Sequence, residues 1–473
     1  MIGKINSNSN IFKYNSLVNN QRSTNYGTTL DNSVQFSNPS FLAASNPIVK
    51  QTVVNQPSTT LSAKDNEKYV ALASFLQNAP ISPNSEGVSA TKQLDILLKN
   101  GKLLAKSSHD NSTVLDNLYQ IATTDRAYNL DKTVLLTSTL DLLCNPRYVT
   151  QTFGDIPQDI QKTIVEKLPQ GDETKQNPEK MNVYASGTCA AASIEVTMAD
   201  KYPAEFARWV NGLSSTKKSV DLHVNLKSIS KSPLEAISIL NLLEAHQGKF
   251  NYSKADVKVG IDEKAFARAF VQSKYWNKGE RNVADVLIQS AIMGLGSQHT
   301  YNALTDVRAG RFSSNPQGLI ELEKTFVESL IKNKEITSLI YHNIDENQNL
   351  IGYNCSLDKI SKHLTDTIDQ GDNVILGYIL TNETAGVSSQ PSYNPVSDGP
   401  KNRVINGHEI TVIDYYKDEK GKTVFVCVDT DDNSPELVQY SADWLLPKVH
   451  HAGYPAHIVA ADEKDIMKNV LGN

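Results

Sequence analysis

The sequence is poor in cysteine, in long apolar runs and in surplus positive charge, and each shortage removes a class of function. Cys144, Cys189, Cys355 and Cys427 are the only cysteines in 473 residues. They are too few and too scattered for a disulfide framework, and no CxxC or CxxH spacing offers a zinc site. Free thiols of this kind belong to a reducing compartment. No run of about 18 apolar residues occurs, so no membrane-spanning helix is expected. Lys and Arg number 46 against 52 Asp and Glu, for a net charge of -6. No long basic run offers a face to nucleic acid, so no nucleic-acid or membrane partner is expected. The start, MIGKINSNSNIFKYNSLVNN, lacks the apolar core of a secretory signal. The expected location is the cytoplasm, or outside it by export without a standard signal peptide. Phosphate-binding loops and HExxH are absent, and no cofactor or metal is expected.

What is present divides the chain by texture. Residues 1–62 are rich in Asn, Ser, Thr and Gln with no sustained apolar period, which reads as a disordered arm. From 63 to 169 the pattern turns helical. Tyr69, Leu72, Phe75 and Leu76 recur at helical spacing, as do Leu94, Ile96, Leu97 and Leu103. Runs at Leu115–Ile121 and Val134–Leu143 follow, the last stopped by Asn145-Pro146. Four or five short helices packed as a bundle are expected there. Residues 170–182, QGDETKQNPEKMN, read as an exposed linker. Helices are expected near 187, after Pro203, and at about 232–246, 262–273, 283–295 and 316–332. Beyond 335 the chain is β-rich, with strands at 336–341, 374–380, 410–415, 423–428 and 456–460. The fold class is α+β.

Two constellations carry chemistry. In Ala185-Ser186-Gly187-Thr188-Cys189-Ala190-Ala191-Ala192-Ser193, Gly187 and Thr188 suit a turn and a helix cap, and the Ala run suits a tightly packed helix. Cys189 then sits in the first turn, where unpaired N–H groups and the positive dipole end favour thiolate over thiol. The bland alternative is a small buried cysteine in an Ala-rich core helix. In the second constellation, Asn406-Gly407-His408-Glu409-Ile410-Thr411-Val412 opens a strand, a polar turn follows at 416–422, and Thr423–Val428 forms its partner strand, ending at Asp429. Pairing Tyr415 near Thr423 places His408 opposite Thr430, beside Asp429, with cross-strand neighbours roughly 5 Å apart. A carboxylate there can hold the imidazole in one tautomer. Cys189, His408 and Asp429 together read as nucleophile, base and orienting acid.

With those residues the chain resembles the papain-like cysteine peptidase superfamily, most closely bacterial members related to the bacteriocin-processing peptidases. The residues that carry the resemblance are Gly187-Thr188-Cys189-Ala190, Gly407–Val412 and the strand ending at Asp429, preceded by Asp369-Gln370-Gly371-Asp372-Asn373-Val374. The resemblance implies a helical half bearing the thiol and an antiparallel β half bearing His408 and Asp429. A peptide or protein substrate would lie between them and be cleaved through a thioester acyl-enzyme. The catalytic domain would span 170–473, with a helical insertion at about 230–335. The 63–169 bundle is a candidate pro-segment. Three departures stand out. Papain-type members carry a Gln oxyanion donor six residues before the cysteine, where this chain has Val183, leaving neighbouring Asn182 or the farther Gln176 to serve. The spacing from Cys189 to His408 is long. The usual WG signature is replaced by Thr430-Asp431-Asp432-Asn433.

Other readings remain. A transglutaminase-like acyl transferase would pair Cys189 with His223, but no acid follows in 227–233. A non-catalytic binding protein could keep the same scaffold. Asp429-x-Asp431-x-Asn433 begins like a calcium loop but lacks its Gly and closing Glu. His450, His451 and His457 read as a solvated loop rather than metal ligands. Gln289, Met293, Gln298, His299 and Tyr301 read as packing and loop residues.

Overall fold

The computed structural model describes residues 59–182, 187–225, 255–297, 300–308, 318–382, 400–431 and 436–462. The Asn/Ser-rich arm expected at 1–62 lies outside them but for its last four residues. The helix expected at 232–246 lies outside them entirely.

The N-terminal helices are α1 (Ala63–Leu76), α2 (Ala90–Lys99), α3 (Val114–Thr123), α4 (Lys132–Cys144) and α5 (Gln158–Lys167). Four of them start at a polar cap, Ser62, Ser89, Thr113 and Asp131, whose side chain accepts a first-turn N–H otherwise left unpaired. Two residues assigned to the buried stripe face outward instead. Phe75 and Ile96 are about two-fifths exposed, while Leu72, Leu76, Leu94 and Leu97 are buried. Each sits one position off the stripe that its helix turns inward. The polar 170–182 stretch is not a free linker. It forms the short helices Glu173–Gln176 and Pro178–Asn182, buries Thr174 and Met181, and is pinned by Lys264 to Asp172.

The chain continues through α6 (Cys189–Lys201), α7 (Pro203–Ser214), the antiparallel pair β1 (Ser219–Val224) and β2 (Ala255–Gly260), α8 (Glu263–Tyr275) and α9 (Val283–Gly296). A small hairpin, β3 (Tyr301–Asn302) and β4 (Val307–Arg308), leads to α10 (Glu321–Lys332). These helices and α1–α4 bury their apolar faces in one continuous core. A pro-segment made of 63–169 would have to give up that shared core on leaving, at roughly 25 cal/mol per Å² of apolar surface re-exposed.

The remainder builds β5 (Ile336–Ile340), the hairpin β6 (His342–Ile344) and β7 (Leu350–Tyr353), α11 (Leu357–Asp369), β8 (Val374–Thr381), β9 (Val404–Lys417), β10 (Thr423–Val428), β11 (Val438–Ser441) and β12 (Val449–Pro455). Among the described residues, one six-stranded antiparallel sheet has the order β11-β10-β9-β8-β12-β5. The strand expected at 456–460 is instead the short helix Ala456–Val459, and the last strand lies just before it. The protein is thus of mixed α and β structure, with helices on one face of the sheet and a second core against α11 on the other. No described helix is long and apolar enough to cross a membrane.

Candidate functional site

The sequence places Cys189 in the first turn of a helix, and it is the first residue of α6. Ala190, Ala191 and Ala192 are fully buried, so the small side chains let α6 run through the middle of the helical core. Thr188 occupies the cap position but makes no cap bond of its own. Its hydroxyl accepts instead from the buried guanidinium of Arg281. Cys189 is half-buried. The other thiols are held neutral by burial, which pushes Cys144 up to about 12, Cys355 to about 11 and Cys427 well above its usual range.

Two contacts fix how α6 lies on the sheet. Thr411 Oγ1 on β9 donates to the Ser193 carbonyl at 3.2 Å, and Asn373 Nδ2 donates to Asp200 at 3.1 Å. Asn373 directly precedes Val374, which pairs with Val412. Helix and strand therefore run in the same direction. Cys189 lies one turn, about 6 Å, before Ser193. His408 lies three residues, about 10 Å, before Thr411. Both point toward the same end of the sheet. Alternation adds a constraint, because Glu409 and Thr411 face α6 whereas His408, Ile410 and Val412 face the other side. His408 is cross-strand from Tyr378, with the rings edge-on at 5.9 Å. Among the described residues, no hydrogen bond joins the Cys189 sulfur to His408.

The expected histidine–acid pair is formed. His408 Nε2 donates to Asp429 Oδ1 at 2.7 Å, with both side chains buried. The register differs from the expectation. Thr423 pairs with Lys417, and a bulge at Ile413 shifts the ladder by one, so that Asp429 stands opposite Ile410, diagonal to His408 on the same face. Asp429 also accepts from the Asp431 backbone N–H at 3.1 Å.

Gln151 is a residue that sequence reasoning missed. Its N–H donates to the Thr430 carbonyl at 3.0 Å, and its carbonyl accepts from Arg281 at 2.5 Å. It bridges the acid end of β10 and the cap of the Cys189 helix. Its carboxamide is buried, and neither the oxygen nor the nitrogen has a hydrogen-bond partner among the described residues. Of the donors considered from sequence, Gln176 is exposed on a short helix, and the Asn182 side chain lies outside the described residues. No motif spacing marks Gln151, which is 38 residues before the cysteine and outside any regular element.

A second titratable cluster lies on the α6 side of the sheet. His450 and His451 are buried in β12 rather than on a solvated loop. His451 Nε2 faces Glu409 at 2.5 Å and Glu321 at 2.8 Å, and Lys324 Nζ reaches the same two carboxylates at 3.1 and 3.4 Å. Burial alone would lower the His451 pKa, but the two carboxylates outweigh it and the pKa is raised. Three donor atoms here stand within 4.8 Å of one another. The Lys324 ammonium already neutralises the carboxylates, where a metal ion would have to compete with it. His457 is elsewhere, bonded to Gln370. His223 does find an acid, Asp256 at 2.7 Å, but on the partner strand and exposed. Gln289 is a packing residue as expected, donating to Thr150 and Glu195. Gln298 and His299 lie outside the described residues. No protein-family model matches the chain, and no curated protein sequence matches it.

Proposed function

We propose that the protein is a thiol hydrolase of amide bonds, acting on a peptide or protein. Cys189 would attack the carbonyl, His408 would carry the proton to the leaving amine, and Asp429 would hold the imidazole and balance its charge. Water would then hydrolyse the thioester and restore the thiol. Gln151 replaces Asn182 as the candidate oxyanion donor, because a buried carboxamide without a partner among the described residues is poised to receive one. The observation that carries the reading is the buried His408–Asp429 pair at 2.7 Å, on the strand along which the Cys189 helix is docked in the same direction.

A second assignment of the base has one specific observation in its favour. The sheet face turned toward α6 carries Glu409 and His451, whereas His408 projects from the other face. In that case His451 would take the proton and Glu409 would orient it.

The test is labelling by a peptide-like electrophile, with the modified residue located by mass spectrometry. Wild type should be modified at Cys189, and Cys189→Ala should not react. His408→Ala should slow labelling by at least about 100-fold, with His451→Ala much closer to wild type. The reverse order would move the base to His451. Equal labelling of wild type and Cys189→Ala would remove the thiol hydrolase altogether and leave a binding protein on this scaffold. Capture of an added amine in place of water would point to acyl transfer.

A further inference from the structure

One buried arginine from the segment after α8 grips the turn that delivers Cys189, and a second holds the glycine packed against that turn. The Arg281 guanidinium, fully buried, donates to the Thr188 hydroxyl and to the Gln151 carbonyl, and it pairs with Asp306 at 3.2 Å. It sits over Phe153, with Cζ 3.8 Å from the ring centroid. Asp306 is itself held by the Tyr301 hydroxyl at 2.6 Å, at the turn of the β3–β4 hairpin. Arg308, on the return strand, donates to the Gly318 carbonyl at 2.8 Å and pairs with Glu323, also at 2.8 Å, with both side chains fully buried. Glu323 in turn accepts the Ile320 N–H at 3.0 Å, which fixes the chain leaving Gly318. Gly318 lies against the turn so closely that a Cβ there would stand 3.0 Å from the Gly187 carbonyl oxygen.

We infer that Arg281, Asp306, Arg308, Gly318 and Glu323 form a clamp that sets the Gly187–Thr188–Cys189 turn, with Arg281 and Gly318 as positioning residues for the thiol. The inference rests on reading Cys189 as the nucleophile. Buried ion pairs are a poor route to stability, because desolvation offsets most of their attraction. What a guanidinium supplies is direction, since its planar fork carries five donors in fixed geometry. At Arg281 that fork grips the residue before the thiol, the backbone of Gln151 and the acid of the hairpin at once. From sequence the region at about 230–335 read as a helical insertion. Arg281 and Gly318 within it reach the two residues just before the nucleophile, Thr188 and Gly187.

The experiment measures the maximal labelling rate and the half-saturating concentration for the same peptide-like electrophile on the full chain. Thr188→Val keeps the shape of the side chain and removes the acceptor, Thr188→Ser keeps the acceptor, and Gly318→Ala pushes on Gly187. Thr188→Val and Gly318→Ala should lower the maximal rate by about 10- to 100-fold, as expected for a nucleophile displaced by a fraction of an ångström. Their half-saturating concentration should stay within about twofold and their melting temperature close to wild type, while Thr188→Ser should label like wild type. The clamp is refuted if Thr188→Val and Gly318→Ala label at the wild-type rate, or if Thr188→Ser falls as far as Thr188→Val. A wild type that never labels at Cys189 refutes the nucleophile and the clamp together, so the two failures are distinct.

Discussion

Replacing His342 by Phe should flatten the acid side of the protein's stability profile. His342 opens β6 and is 3% exposed, with its ring edge-on to Tyr353 at 4.8 Å and 6.1 Å from the His450 ring. Burial pulls its pKa from 6.5 down to about 4; the Pro447 carbonyl opposes that pull and the charged His451 adds to it. A folded-state pKa below the unfolded one means that the unfolded chain takes up the proton first. The stability tied to neutral His342 is therefore complete above about pH 6.5 and is lost as the pH falls toward 4. A gap of about two to three units at 1.36 kcal/mol each sets a ceiling of roughly 3 kcal/mol, most of it already lost at pH 4. Phe keeps the ring and its contact with Tyr353 but binds no proton. Urea unfolding of wild type and His342→Phe at several pH values between 7 and 4 should show wild type losing about 3 kcal/mol more than the variant. His451, whose raised pKa has the opposite sign, is common to both proteins, so only its repulsion with His342 enters the difference. Parallel profiles would refute the claim that His342 is held neutral by burial.

The remaining predictions concern the sheet and the oxyanion donor. In Gly377→Ala the new methyl would overlap the imidazole of His451, which Glu321 and Glu409 hold in place. Chemical denaturation should show a loss of roughly 3–5 kcal/mol, as for a broken buried ion pair, and a loss under about 1 kcal/mol would mean that the ring is free to move. Gln151→Ala should slow Cys189 labelling by a peptide-like electrophile about 100- to 1,000-fold, while Asn182→Ala should leave it unchanged. Equal rates in both variants would return the oxyanion role to backbone N–H groups.

Local patterns were readable where the deciding interactions lie close together in sequence. The helix at Cys189 follows from a Gly-Thr turn and an alanine run, and the β9–β10 hairpin follows from alternation around a polar turn. The His408–Asp429 pair owes its shared face to the bulge at Ile413, because in the expected register Asp429 would stand opposite Glu409 on the other side of the sheet. The stripes of α1 and α2 were readable only to within one position, which is why Phe75 and Ile96 face outward.

By itself, then, the sequence determined most of the helices, the β9–β10 hairpin and which thiol stands at a helix start. The tertiary structure alone decided what surrounds that thiol. Gln151 and Arg281 are 130 residues apart, yet they share one hydrogen bond beneath Thr188. Glu321, Glu409 and His451 come from a helix and two strands that only the folded sheet brings together. Buried polar groups must find partners wherever the fold supplies them, and those partners follow no sequence period.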